Sequence, residues 1–186
     1  MQFEIRIHHS LDEFAAHQWD ALAAGGNPFV RFAFLSALEK HHCVGPHAGW
    51  ETYYLGAWSG GQLVGAVPMY LKYNSYGEFV FDWTWADAYR QFAGAYYPKL
   101  VVAAPYTPAT GPRLLLAQQP QAEQVGRTLI QATIELAKSN KLSSLHWLFP
   151  LESEMPALEE AGLLTRIGVQ YHWANSGYRD FQDYLA

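Results

Sequence analysis

Residues 51–58 (ETYYLGAW) and 62–73 (QLVGAVPMYLKY) are two strand-like runs that meet at Ser59-Gly60-Gly61. No other feature narrows the folds open to this chain so far. Both runs are rich in β-branched and aromatic residues, and the Gly-Gly pair supplies the positive φ that a tight reversal needs, so they read as a hairpin. A short apolar run follows at 99–104 (KLVVAA), read as a buried strand. Residues 120–140 come next, with Val125, Leu129, Ala132 and Leu136 on one helical face, Glu123 early and Lys138 in the last turn, as the helix dipole prefers. Residues 143–149 (SSLHWLF) then return to a strand pattern. Strands interleaved with helices in this way define an α/β (α+β) class.

The flanking segments add elements to that frame. Phe3, Ile5 and Ile7 alternate with Glu4 and Arg6, the period of a half-buried strand. Ser10 and Glu13 have the spacing of a capping box and open a helix through about residue 23, with Leu11, Phe14, Ala15, Trp19 and Leu22 apolar. Gly25-Gly26-Asn27-Pro28 stops it, and a second helix is expected over 30–42, packing Phe34, Leu35 and Leu38. Residues 76–83 are expected to be extended and 86–93 to form a short helix. Pro105, Pro108 and Pro112 fix the 105–112 loop, since each sets its own φ and restricts its predecessor. A helix over 151–161 ending at Gly162, a long strand over 163–173 and a final helix from 178 complete the order.

At 186 residues the chain suits one domain able to bury a core without staples. Twelve basic against 17 acidic residues give a net charge of −5, with no basic stripe for a phosphate backbone and no Lys/Arg-rich amphipathic helix for a membrane surface. The expected partners are therefore a small molecule or another protein, not nucleic acid. No apolar run approaches the ~20 residues of a membrane span. The first residues lack a basic and then apolar leader pattern, and the single cysteine, Cys43, fits a reducing compartment, so a cytoplasmic location is expected. His8-His9, His41-His42 and His47 do not have a metal-site spacing, and no metal is expected.

The most unusual composition lies at 72–113, where three acids, two tryptophans and six tyrosines surround a proline-rich loop. Aromatic walls with a few polar groups suit a small-ligand cleft, and a Tyr-rich packing layer is the other reading. A reaction in such a cleft that removes a proton and builds up negative charge needs a base and groups that stabilise the anion. Glu78, Asp82 and Asp87 are the candidate bases. Glu78 and Asp82, four apart, share a side of an extended segment, and a carboxylate beside Trp83 or Trp85 would be raised toward neutrality by desolvation. Tyr76, Tyr97 and Tyr106 are candidate wall residues. Lys99 is placed to pair with Asp82 or Asp87 or to bind a substrate carboxylate. Thr107, Thr110 and Arg113 could hold an anion through side chains, with Gly111 allowing close approach, and His146 and His172 could line the same site. For each, a structural role (satisfied hydroxyl, solvated lysine, core histidine) stands as the alternative.

Five pieces of sequence carry a resemblance: NPFVRFAFLSALE (27–39), SYGEFVFDWTWADAY (75–89), YYPKLVVAAPYTPATGPRLL (96–115), LHWLFP (145–150) and QYHWANSGYRDFQDYLA (170–186). On these the chain resembles the FemAB-like predicted N-acyltransferases, associated with peptidoglycan biosynthesis or recognition, within the GNAT-like acyltransferases. The resemblance implies a mixed central sheet flanked by helices, with an aromatic and acidic insert at about 74–97. It implies N-acyl or aminoacyl transfer, with a peptidoglycan-precursor amine as acceptor, or else a muropeptide-recognition module or a half-domain completed by a partner domain or second copy. FemAB-like chains are usually about twice as long, so the resemblance also implies truncation relative to a two-domain protein. Acetyl-CoA users of this fold place a Gly-rich turn after the central strand; here that turn is 105–112, whose three prolines contribute no N–H. That departure speaks against acyl-CoA and leaves aminoacyl-tRNA as a possible donor for a longer protein.

Overall fold

The computed structural model describes residues 3–23, 25–92, 94–169, 171 and 173–185. Two four-stranded sheets form the frame. One is antiparallel, in the order β1 (Glu4–His8), β3 (Tyr54–Ser59), β4 (Gln62–Val67), β7 (Leu115–Leu116). The other has the order β2 (Trp50–Thr52), β5 (Met69–Lys72), β6 (Lys99–Val102), β8 (Leu145–Trp147), with β6 and β8 parallel and the other pairs antiparallel.

The expected hairpin is present, but each arm is shared between the sheets. Its register runs unbroken from Trp50↔Lys72 to Gly56↔Ala66. Pro68 has no N–H to give the ladder, whereas Tyr53 N still donates to Met69 O at 2.9 Å, so the pairing survives while the outer neighbours change. Beyond that point β3 recruits β1, and β5 recruits β6.

Alternate residues along these strands face opposite cores. Tyr54, Leu63, Ala66, Tyr70 and Val101 pack with Trp19 and Leu22 of α1 (Ala16–Leu22) and Leu35 of α2 (Phe32–Lys40). Leu55, Val67, Met69, Leu100 and Val102 pack with Val125, Leu129 and Ala137 of α4 (Ala122–Ser139). The sheets thus lie between helices on both faces. Gly65 sets how near α4 comes, because a Cβ there would meet Val125 Cγ1 at 2.7 Å and Leu129 Cδ1 at 2.9 Å.

Several elements differ from expectation. The Ser10/Glu13 capping box forms, but it caps a single 3-10 turn at Leu11–Glu13, and α1 begins afterwards at Ala16. Residues 76–83 are not extended: Phe79 (φ 59°) and Phe81 (φ 49°) are left-handed, and α3 starts at Trp83 and runs to Phe92. The long strand expected over 163–173 is absent among the described residues, where Leu164, Ile167, Val169 and Tyr171 are exposed and pair with no strand. Apolar alternation alone cannot make a strand without a ladder partner. Residues 151–161 form a 3-10 turn at Glu152–Glu154 followed by α5 (Met155–Glu160), and α6 is Phe181–Leu185. No helix among the described residues is long and apolar enough to cross a membrane.

Candidate active site

Antiparallel pairing of β5 with β6 sets Lys72 directly opposite Lys99 at the end of the sheet. Two buried ammonium groups on facing strands repel, and the chain supplies the compensation from the segment that follows β5. Lys99 Nζ donates to Glu78 Oε2 at 2.8 Å, Asp82 Oδ2 at 2.5 Å and Ser75 Oγ at 3.2 Å, so its three protons are used. The Lys99, Glu78 and Asp82 side chains are 0% exposed. Lys72 Nζ sits 3.7 Å from the centre of the Trp50 ring and donates to Tyr76 O at 3.1 Å. Tyr96 OH adds a 2.7 Å bond to Asp82 Oδ2, and Tyr97 OH lies 2.7 Å from Ser75 Oγ.

This cluster explains the left-handed backbone. Gly77, at φ +78°, turns the chain beneath Tyr106, whose ring would be 2.5 Å from any Cβ there. Glu78 and Asp82 are both drawn in to Lys99, while the phenylalanines at 79 and 81 point outward, Phe81 at 69% exposure. Acids inside and aromatics outside reverse the usual preference, and the ion pairs with Lys99 are what hold the reversal. The two carboxylates meet because of the two left-handed residues, not because the segment is extended. Tyr106 braces the same loop, with its hydroxyl donating to Cys43 O at 2.8 Å and its ring against Trp50.

The charges tune one another. Burial raises Glu78 above the ordinary carboxyl range, with Lys99 pulling against it. Burial would raise Asp82 as well, but hydrogen bonds from Lys99, Ser75 and Tyr96 outweigh it and hold the group at about 2. Lys72 is brought down to about 7 by burial, opposed by the attraction of Glu78. Burial, then the charge of Lys99, lowers His146 to about 4; its Nε2 lies 2.9 Å from Ser144 Oγ. The indoles of Trp83 and Trp85 are both more than half exposed. Asp82 moves in the opposite direction to the one expected from the sequence.

Over the cluster lies an open depression of about 380 Å³, lined by Tyr76, Trp83, Ala86, Asp87, Arg90 and Tyr97. Asp87 belongs to this surface and not to the buried group: its carboxylate pairs with Arg90, and both side chains are largely exposed. Lys99 therefore pairs with Asp82 and Glu78 and not with Asp87. Trp85 lies outside the lining, its ring beneath the Arg166 guanidinium at 4.8 Å.

Residues 107–113 do not join the site. Arg113 is buried, and its guanidinium donates to the backbone oxygens of Leu148 (2.7 Å), Ala109 (3.0 Å) and Pro112 (3.2 Å), so it ties the loop together where an anion was expected. Thr107 Oγ1 donates to Pro105 O at 3.0 Å, Thr110 is exposed, and Gly111 is packed so closely that a Cβ would meet Asn27 Nδ2 at 2.1 Å. Glu154 fastens the end of the loop by accepting from the N–H groups of Arg113, Leu114 and Leu151. A second depression of about 420 Å³ at the start of α4 is lined by Glu123, Glu154 and Glu160 with Arg127, and Arg127 already bridges Glu123 and Glu160.

Sequence reasoning brings Tyr76, Glu78, Asp82, Trp83, Asp87, Tyr97 and Lys99 to one region, and the fold places them there. His146 borders it, its ring set edge-on to Tyr96 at 6.5 Å. His172 lies outside the described residues. Lys72, Ser75 and Tyr96 escape sequence reading; the available signal was a lysine near the end of each of two strands that flank the acidic segment.

The fold is shared with solved acetyltransferases. The ribosomal-protein-alanine N-acetyltransferase of Brucella melitensis biovar Abortus 2308 superposes with a TM-score of 0.56 at 15% identity, over 94% of this chain and 100% of that one. A predicted acetyltransferase from Clostridium acetobutylicum, solved with acetyl-CoA, gives 0.56 at 5% identity over 92% and 96%. An aminoglycoside acetyltransferase from an uncultured soil metagenomic sample, in complex with sisomicin, gives 0.52 at 14% over 93% and 97%. At such identities the likeness establishes the fold alone. No curated protein sequence matches significantly. The FemAB-like family, described as peptidoglycan biosynthesis/recognition, matches residues 10–186, nearly the whole length, and the chain belongs to that family.

Proposed function

We propose that this protein is an acyltransferase domain that presents an amine acceptor for N-acyl or aminoacyl transfer, the acceptor lying in the depression formed by Tyr76, Trp83, Asp87, Arg90 and Tyr97. One observation carries the reading: an open aromatic depression is backed by a sealed cluster of two lysines and two carboxylates, which is costly to bury and has a proton-accepting member in Glu78. Family membership supports an acceptor of the peptidoglycan-precursor type, a primary amine on a short peptide. Trp83 and Tyr76 supply flat faces for it, and Asp87 supplies a carboxylate for its ammonium group before transfer.

The donor we propose is not acyl-CoA. Pro105, Pro108 and Pro112 remove N–H donors from the loop after β6, Arg113 is committed to backbone carbonyls, and the start of α4 is lined by three glutamates. An aminoacyl-tRNA, held largely by a portion other than this acidic domain, agrees with these features. The exposed ring at Phe81 and the indoles at 83 and 85 favour one rival, a module that binds a muropeptide without turnover.

Purified protein mixed with a lysine-containing muropeptide and, in parallel, acetyl-CoA or an aminoacyl-tRNA tests both proposals, with mass spectrometry of the acceptor as readout. Acylation from aminoacyl-tRNA and none from acetyl-CoA is expected. Acylation from acetyl-CoA would overturn the donor assignment, and muropeptide binding with no product from either donor would favour the recognition module.

A further inference from the structure

We propose that Tyr97, Ser75 and Lys99 form a proton relay that connects the open depression to the sealed carboxylate of Glu78. The inference deepens the acyl-transfer reading and rests on it for its purpose, though not for its test.

The geometry poses a problem and contains its answer. Glu78 and Asp82 are the groups a transferase could use as a base, yet neither side chain has any exposed surface, so no acceptor touches them. Among the described residues that line the depression, Tyr97 is the one whose side chain bonds to the cluster, Tyr76 meeting Lys72 through its backbone oxygen. From its hydroxyl the contacts run 2.7 Å to Ser75 Oγ, 3.2 Å from Ser75 Oγ to Lys99 Nζ, and 2.8 Å from Lys99 Nζ to Glu78 Oε2. Each step is within hydrogen-bond reach, and each joins groups able both to take and to pass on a proton, Lys99 taking one once it has passed one to Glu78. With Tyr97 donating to Ser75, its phenol oxygen keeps a lone pair for the depression.

The transfer balances. Lys99 gives a proton to Glu78 Oε2, the nitrogen lone pair this frees takes the Ser75 hydroxyl proton, Ser75 Oγ takes the phenol proton, and Tyr97 oxygen takes one from the protonated acceptor amine. The amine becomes neutral and nucleophilic, one carboxylate becomes a carboxylic acid, and the three intermediate groups end as they began. Burial favours this end state, because neutralising a buried carboxylate relieves its desolvation. Glu78 is a better terminus than Asp82, which two further hydrogen-bond donors hold ionised. Tyr97 is thus the catalytic residue that meets the amine. Ser75 acts through it as a positioning residue, together with Tyr96, which fixes Asp82. Lys72, opposite Lys99 in the sheet, is bonded to Tyr76 O and Asn74 Oδ1 and is off the path. His146 adjoins Tyr96 and is also off it.

The relay can be read without donor or acceptor. In protein labelled with 15N-lysine, solvent exchange of the Lys99 ammonium protons is measured by NMR, with Lys72 as the internal reference. If Tyr97 and Ser75 are the route to water, Tyr97→Phe and Ser75→Ala each slow Lys99 exchange at least about tenfold relative to Lys72, and Ser75→Thr restores it. Lys99 exchange within about twofold of the parent in Tyr97→Phe overturns the relay. Tyr97→Phe decides the matter if Ser75→Ala fails to fold, because it removes one oxygen at a half-buried position. Slowed exchange in a protein that never acylates an amine would instead sink the transferase reading while establishing the path.

Discussion

Replacing Lys99 with methionine removes the one cation that, among the described residues, bonds to Glu78 and Asp82, and keeps nearly the same volume. At an effective dielectric of about 20, each contact, at 2.8 and 2.5 Å, represents roughly 6 kcal/mol of attraction. Most of that is offset by the desolvation of Lys99 that the substitution avoids. The net expectation is a loss of about 3–5 kcal/mol at pH 7, the range for breaking one side of a buried pair. The lower end is favoured because Lys72, relieved of repulsion from Lys99, binds its own proton more tightly and partly fills the role. The pH dependence gives the sharper test. In the parent, Asp82 has a folded value near 2 against 3.8, so it contributes roughly 2 kcal/mol that is present above pH 4 and lost as the pH falls toward 2. In Lys99→Met both carboxylates are raised instead, so the folded state binds protons more readily than the unfolded chain and gains stability as the pH falls from 7 to 5. The deficit relative to the parent should therefore shrink with acid. Urea unfolding followed by tryptophan fluorescence at pH 5, 6 and 7 measures it, and Glu78→Gln in the Lys99→Met background should recover part of the loss. A cost under about 1 kcal/mol at pH 7, or a deficit that grows on acidification, would refute the account of the cluster.

Other substitutions probe the supports of the site. Gly77→Ala should cost about 1–3 kcal/mol, since φ +78° and a 2.5 Å approach to Tyr106 leave no room for a Cβ; an unchanged melting temperature would show that the loop is not braced this way. Glu154→Ala strands three buried or half-buried N–H groups and should destabilise by about 2–4 kcal/mol, with chemical denaturation as the check. His146, held near 4, takes up its proton in the unfolded chain before the folded one, so stability should fall as the pH drops from 6.5 toward 4. His146→Gln should flatten that window, and an unchanged slope would place the histidine in a more solvated setting.

The frame of this protein could be read from residue order. Gly60-Gly61 reverses the chain, KLVV alternates between two cores, and the 3.6-residue stripe of Val125 and Leu129 gives α4 one buried face; these are local patterns with local causes. Where pairing decides, sequence misled. Residues 163–173 alternate like a strand, but no partner edge meets them among the described residues, and the hairpin arms divide at Tyr53 and Pro68 because different neighbours claim each half.

For the site, the sequence alone determined the inventory: an acid-rich, aromatic-rich segment between two strands, each bearing a terminal lysine. Tertiary structure decided which charges meet. Antiparallel register put Lys72 opposite Lys99, and two left-handed residues brought Glu78 and Asp82 to the same ammonium while Asp87 stayed at the surface with Arg90. Burial raised Glu78, whereas hydrogen bonds from Lys99, Ser75 and Tyr96 outweighed burial at Asp82 and lowered it. Charge and polarity are written in the residues, but a pKa depends on which dipoles and ions lie within a few ångströms, and only the folded chain fixes those distances.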